Sequence, residues 1–287
     1  MEKTNRNASC RCGSKKKYKQ CCIEIDEKLN EFQRQGYPIP KSSLLKTIDE
    51  IEGIKKSCQL TKKLLNDLND IIKPGMTTNE INNWVHHQTL KNNAIPAPLN
   101  YKNFPKSICT SVNEVVCHGI PSEYKLEEGD MLNVDITCIL NGFYGDSCRM
   151  YEVGNVSNEA SQQSKITKEC LEKSIQNITP FTALNIIGET IENHAHKHHY
   201  SVVKVFGGHG TGNKFHEDPF IYHYKLNYKQ MIITPGMVFT IEPMINEGTD
   251  ECIILEDGWT AITKDKKLST QWEHTIVITN SGATILT

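Results

Sequence analysis

Four acids and one histidine in this 287-residue chain stand where apolar strands would end. Asp135 closes the run Met-Leu-Asn-Val-Asp, and Glu242 closes Val-Phe-Thr-Ile-Glu. A carboxylate at the inward end of an apolar strand is costly to bury unless something binds it. Asp146 lies just past Asn141-Gly142, a pair that favours a tight hairpin turn and would return Asp146 beside Asp135. Glu273 precedes His274 and the apolar residues 275–278. His209 is set in Gly207-Gly-His-Gly-Thr-Gly212, where glycines let the backbone approach a ligand closely. Taken alone, each acid reads more readily as a turn cap or a surface group. Together, four carboxylates and an imidazole suit two divalent cations about 3.5–4 Å apart, sharing a water whose pKa falls from about 15.7 towards about 7. The donor set fits Mn, Fe, Co or Zn, and availability rather than ligand type decides among them.

A second cluster is denser. Cys10, Cys12, Cys21 and Cys22 crowd the first 22 residues, and two close thiolate pairs suit a closed tetrahedral structural zinc. So short a segment cannot fold on apolar burial, so metal binding would supply its folding free energy. Its charge is basic: Lys3, Arg6, Arg11, Lys15, Lys16, Lys17 and Lys19 face Glu2 alone, in a chain of formal net charge −2. This asymmetry suits an anionic partner, ribosomal or nucleic acid, and equally a solvated basic tail. The chain has 11 cysteines, an odd number, and its polar start has no apolar signal region. A disulfide framework is therefore not expected, and a reducing cytoplasm is. No apolar run is long enough for a membrane span.

These residues need elements to position them. Thr47-Ile-Asp-Glu50 and Thr77-Thr-Asn-Glu80 are capping boxes, each opening a helix, to about residue 72 and about residue 90. Strands are expected over 107–116, 131–140 and 145–153, then helices over about 158–178 and 183–198. The last third reads as strands over 201–206, 237–245, 252–256, 259–263 and 274–279, with a turn at Asp257-Gly258. A weak repeat relates the halves. The stretch from Ile72 resembles that from Ile178, and each leads to a glycine, a methionine and a strand ending in an acid, Asp135 or Glu242. A pseudo-twofold α+β domain would set those two acids facing a shared centre. The organisation expected is a zinc module over 1–22, a connector over 23–43 and one catalytic domain over 44–287.

Residues 44–287 resemble a type I methionine aminopeptidase of the pita-bread fold. The resemblance is carried by blocks at 104–109, 111–121, 129–135, 142–146, 208–212, 214–219, 235–243 and 268–275. It implies that Asp135, Asp146, His209, Glu242 and Glu273 are the metal ligands, with Asp146 and Glu273 bridging. It also implies that His118 contacts the departing amide nitrogen, that His216 stabilises the oxyanion and that Glu242 shuttles the proton. Tyr101, Phe104, Cys109, Phe215 and Trp259 would form the methionine pocket. Asn113, Val115 and Ser269 match a monovalent-cation site of some relatives. The implied activity is removal of the initiator methionine from nascent polypeptides, preferring a small second residue, by a monomeric cytoplasmic enzyme. Residues 10–22 resemble the SEC-C zinc motif. Thr211, Asn213 and Pro98 depart from the family pattern, which bears on pocket detail and not on the ligands.

A pita-bread peptidase that cleaves Xaa-Pro bonds would share the five ligands; the contexts of His118 and His216 favour methionine removal. His194, His196, His198 and His199 also cluster, but near a helix end that favours such groups anyway, and no metal is expected there.

Overall fold

The computed structural model describes residues 5–287; Lys3 of the basic run lies outside them. Both capping boxes form. Thr47 starts helix α2 (Ile48–Asp67) and Thr77 starts α3 (Thr78–Lys91), each accepting from the glutamate amide three residues on while that glutamate reaches back. Such a cap stabilises a helix start by about 1 kcal/mol. Helices α4 (Asn158–Gln176) and α5 (Asn185–Lys197) lie where the periodicity places them. The stretch expected as a connector is more than that: it opens with helix α1 (Ile23–Arg34), in which Leu29 is fully buried. The Asp26 carboxylate of α1 receives Arg11 through both oxygens at 2.6 Å and the Tyr18 hydroxyl at 2.5 Å.

Strand Met131–Leu140 pairs antiparallel with Phe143–Glu152 over its whole length. Asn141 and Gly142 turn the chain with φ of 52° and 82°, the pair of positive values that a two-residue hairpin of this kind demands. The other edge of Met131–Leu140 carries Cys109–Val112 and the short strand Ile95–Pro96. The second half repeats this plan. Strand Val238–Ile241 lies between His274–Thr279 on one side and Gly208–Gly210 on the other. Helices α2 and α3 cover the first sheet around Leu64, Leu65, Ile81 and Val134; α4 and α5 cover the second around Ile187, Ile191, Phe239 and Ile276. Helix α2 lies so close to the hairpin that a Cβ on Gly145 would stand 2.3 Å from the Cys58 amide nitrogen.

Several expected strands are shorter than the apolar runs suggest. The run 107–116 divides into Cys109–Val112 and Val115–Cys117, which join different sheets. The chain changes sheet at Asn113, in a left-handed conformation at φ 52°. The run 237–245 divides at Glu242-Pro243, because proline has no N–H to continue a ladder. Only Ser201–Val202, Cys252–Ile254 and Ala261–Thr263 of three other runs are paired.

Candidate metal centre and its cavity

The two ladders deliver the acids in pairs. Opposite residues of an antiparallel pair share a face, and so do residues two apart. Thr137 lies opposite Asp146 and Cys148 opposite Asp135, so both aspartates project from one face of the first hairpin. In the second sheet Ile241 lies opposite His274, which sets Glu242 and Glu273 side by side at the ladder's end. His209 comes from the neighbouring strand Gly208–Gly210, its amide bonded to Thr240 Oγ1 at 3.0 Å. Its Nδ1 lies 3.0 Å from the Gly210 carbonyl oxygen. A carbonyl only accepts, so Nδ1 carries the proton and Nε2 offers its lone pair. That Nε2 is 3.6 Å from Asp146 Oδ2 and 3.7 Å from Glu242 Oε1. One ligand atom each from Asp146, His209 and Glu273 fall within 4.8 Å of one another.

Among the described residues, only His209, and no lysine or arginine, comes within ion-pair distance of these acids. Asp135 Oδ1 is buried with no hydrogen-bond partner. Burial, and then the charge of Asp146, push the Asp135, Glu242 and Glu273 carboxyls well above the usual carboxylate range. Burial raises Asp146 too, against the opposing pull of His209 and Thr137. Four acids crowded out of water beside an imidazole with a free lone pair are a donor set for divalent cations, and the residues fit that group. Their orientation is secured from behind. Thr137 Oγ1 donates to Asp146 at 2.6 Å, Thr240 Oγ1 to Glu242 Oε1 at 2.8 Å and Gln271 Nε2 to Glu242 Oε2 at 3.2 Å. Sequence reasoning missed these three, although a signal was there: each lies two residues along a strand from a proposed ligand, and hence on its face. It also missed His223, whose Nε2 accepts both the Gly208 and the Glu242 amides at 3.3 Å.

The acids floor a cavity of about 860 Å³. All the residues expected to contact substrate line it: Tyr101, Phe104, Cys109, His118, Phe215, His216 and Trp259. Phe104 and Trp259 meet edge to face at 5.1 Å, and Tyr101 packs on Phe215 at 4.8 Å. His118 holds φ 56°, an uncommon conformation of the kind that clusters at functional sites. Its ring meets Trp259 and Phe206, the latter not foreseen. His216 stacks on Tyr101 at 5.2 Å and lies 4.1 Å from the His209 ring. Loss of water contact in the cavity first, then the neighbouring His209, push half-buried His118 down to about 4 and His216, although its residue surface remains exposed, down to about 3. Both are neutral near pH 7.

The N-terminal cysteines form a separate cluster. All four sulfurs lie within 4.8 Å of one another, with Cys12 at 3.5 Å from Cys10 and 3.4 Å from Cys21. A tetrahedron with Zn–S of about 2.3 Å has edges of about 3.8 Å, so the set fits zinc, and none is disulfide-bonded. At the expected monovalent-cation position, the Ser269 amide donates to the Asn113 carbonyl at 2.9 Å. Ser269 Oγ and Asn246 Oδ1, opposite in register, are both buried without partners. Val115 lies in its strand opposite Ile262. In the declined histidine cluster, His194 is engaged by Glu169 at 2.9 Å and His198.

Comparison with known proteins follows the same division. Residues 52–280 match metallopeptidase family M24, and residues 6–24 match the SEC-C motif. A methionine aminopeptidase of Chlamydia trachomatis serovar D is 46% identical over 98% of each chain, too much to leave out the cysteine module. The crystal structure of a methionine aminopeptidase from Rickettsia prowazekii superposes with a TM-score of 0.83 at 44% identity, covering 84% of this chain and 98% of that one. A prolidase from Pyrococcus furiosus, 23% identical with a TM-score of 0.69 over 85% of this chain and 65% of that one, shares the fold.

Proposed function

This chain belongs to metallopeptidase family M24, and we propose that the acid-floored cavity is where it removes the N-terminal methionine of its substrates by metal-dependent hydrolysis. The observation that carries this reading is the convergence of four carboxylates and His209 Nε2 beneath one aromatic cavity.

Asp135, Asp146, His209, Glu242 and Glu273 would hold two divalent ions, Co, Zn, Mn or Fe. Such ions supply Lewis acidity and let water lose a proton near neutral pH. The chain's own groups do the rest. Phe104, Trp259, Tyr101, Phe215 and Cys109 take the methionine side chain, since sulfur–aromatic contacts are favourable by about 0.3–1.5 kcal/mol. A neutral His216 donates to the carbonyl oxygen as negative charge gathers there. Neutral His118 orients the scissile amide nitrogen. Glu242 takes the proton of the attacking water and returns it to the departing amine. A small second residue would be preferred, since the His118 and His216 rings line the same cavity as the methionine pocket.

Cys10, Cys12, Cys21 and Cys22 would hold one structural zinc, and the buried oxygens at Ser269, with Asn113 and Val115, a monovalent cation. Lys15, Lys16, Lys17 and Lys19 are all exposed, whereas Arg11 is taken by Asp26. This basic run would meet the ribosome where nascent substrates emerge, and the enzyme would work as a cytoplasmic monomer over a catalytic domain of residues 44–287. Among the described residues, no helix is long and apolar enough to cross a membrane.

The test is His216→Ala in metal-loaded protein. Removing one oxyanion donor costs about 10²–10³ in kcat. Turnover of Met-Ala-Ser within twofold of normal would remove His216 from the reaction.

A further inference from the structure

The N-terminal module is not tethered loosely to the catalytic domain. The Cys12 carbonyl accepts the Ile48 amide at 2.9 Å, satisfying one of the first-turn N–H groups of α2 that have no partner inside the helix. Gly13 lies against Thr47, the cap residue, with Thr47 Cβ 3.6 Å from where a Gly13 Cβ would stand. That same turn of α2 holds the loop bearing Phe215 and His216. Glu50, the capping-box acid, accepts Asn213 Nδ2 at 2.7 Å with the oxygen that the cap leaves free. Glu217 accepts the Asn213 and Lys214 amides with one oxygen, at 2.9 Å each, and Lys46 Nζ with the other, at 2.5 Å. Lys46 is 4% exposed, and its amide is pinned to the Gly236 carbonyl at 2.8 Å. Gly212 presses on Ile54, leaving no room for a side chain. Loop 212–217 is thus closed on itself by Glu217 and fastened to residues 46–54 at three points, while the module is bonded to residue 48.

We propose that the four-cysteine module, acting through the first turn of α2, clamps loop 212–217 and so sets how His216 is held in the cavity. Asn213 and Glu50 are positioning residues in this scheme, and the module's metal decides whether the Cys12 carbonyl is in place. The segment's small buried cluster is built mostly from its own cysteines with Tyr18, so a metal held by those cysteines would organise it. Without that metal, the N-terminus of α2 loses an acceptor and the capping-box turn gains freedom. That freedom passes to the Asn213 and Lys214 backbone through Glu50. The inference rests on the reading of His216 as the oxyanion donor. It also gives Asn213, a departure from the family pattern, a task of its own.

The experiment uses the full chain with its catalytic centre metal-loaded, and compares Asn213→Ala, Asn213→Gln, Cys21→Ser and His216→Ala. Read-outs are kcat and KM for Met-Ala-Ser, zinc content, and hydrogen exchange of the loop amides. Asn213 is exposed, so its variants fold. Asn213→Ala should lower kcat by about three- to tenfold with KM within about twofold, the pattern of a weakened transition-state contact, and Asn213→Gln should restore part of it. Cys21→Ser should lose the module's zinc and speed exchange at Asn213 and Lys214. Amides of α4 should stay protected, showing an intact body. Unchanged loop exchange in zinc-free Cys21→Ser, or unchanged kcat in Asn213→Ala, overturns the clamp. If instead His216→Ala keeps normal kcat, the catalytic reading of His216 fails and the clamp falls with it. An impaired His216→Ala beside normal Asn213 and Cys21 variants sinks the clamp alone.

Discussion

Replacing Glu273 with glutamine keeps the side chain's size and removes one of the four negative charges at the centre. Glu273 is 2% exposed, and its carboxyl is raised by burial and then by Asp146, Glu242 and Asp135. In protein stripped of metal, that charge is a burden, and Glu273→Gln should unfold no more easily than the parent. In the presence of metal the order should reverse. A ligand present at 100 times its Kd stabilises a fold by about 2.7 kcal/mol. Loss of even a supporting residue behind a metal ligand lowers affinity by about 10–100-fold. Applying the larger factor to a direct ligand, the same metal concentration then equals one Kd, and the stabilisation falls to about 0.4 kcal/mol. The assay is urea unfolding of parent and variant, each with chelator and with added Mn²⁺ or Co²⁺. The metal-dependent gain should shrink by about 2 kcal/mol, and turnover should be abolished. A variant that keeps the full metal-dependent gain and near-normal turnover would refute the assignment of Glu273 as a ligand.

Gly119→Ala would set a Cβ 2.1 Å from the Thr110 carbonyl oxygen, beside His118 at φ 56°. Overpacking of this kind costs about 1–3 kcal/mol, and kcat should fall with the displaced His118; a stable, fully active variant would contradict the role given to that turn. Replacing Cys10 and Cys22 together with serine should remove one zinc that resists mild chelation, detected by metal analysis; retention of that zinc would contradict a four-thiolate site. Co-sedimentation of the intact chain with ribosomes should weaken steeply as salt rises, and absence of association at low salt would contradict the basic run's role.

The centre was legible because it follows strand chemistry. Asp135 and Glu242 stand out as acids ending apolar runs, and Asn141-Gly142 announces the hairpin that returns Asp146. The residues that steady them were not singled out, although Thr137, Thr240 and Gln271 obey the same two-residue period. His118 and His216 carry no local pattern and were found through family resemblance alone. Helix α1 was hidden by the proline-rich stretch after it and by the lack of a side-chain cap at Cys22. Its buried Asp26 has meaning only beside Arg11 and Tyr18. The Lys46–Glu217 pair spans 171 positions, a distance no sequence window bridges. The break at Asn113 depends on which sheet each side joins, and apolar content is alike on both sides.

The most direct test of the central claim is a comparison of kcat/KM by the metal-loaded full chain on Met-Ala-Ser, Leu-Ala-Ser, Lys-Ala-Ser and an Xaa-Pro peptide. The account predicts that only the methionine peptide loses its first residue at a substantial rate, because the aromatic–thiol pocket fits a thioether chain. Rapid release from the Xaa-Pro, leucine or lysine peptides, with the methionine peptide slow, would contradict it.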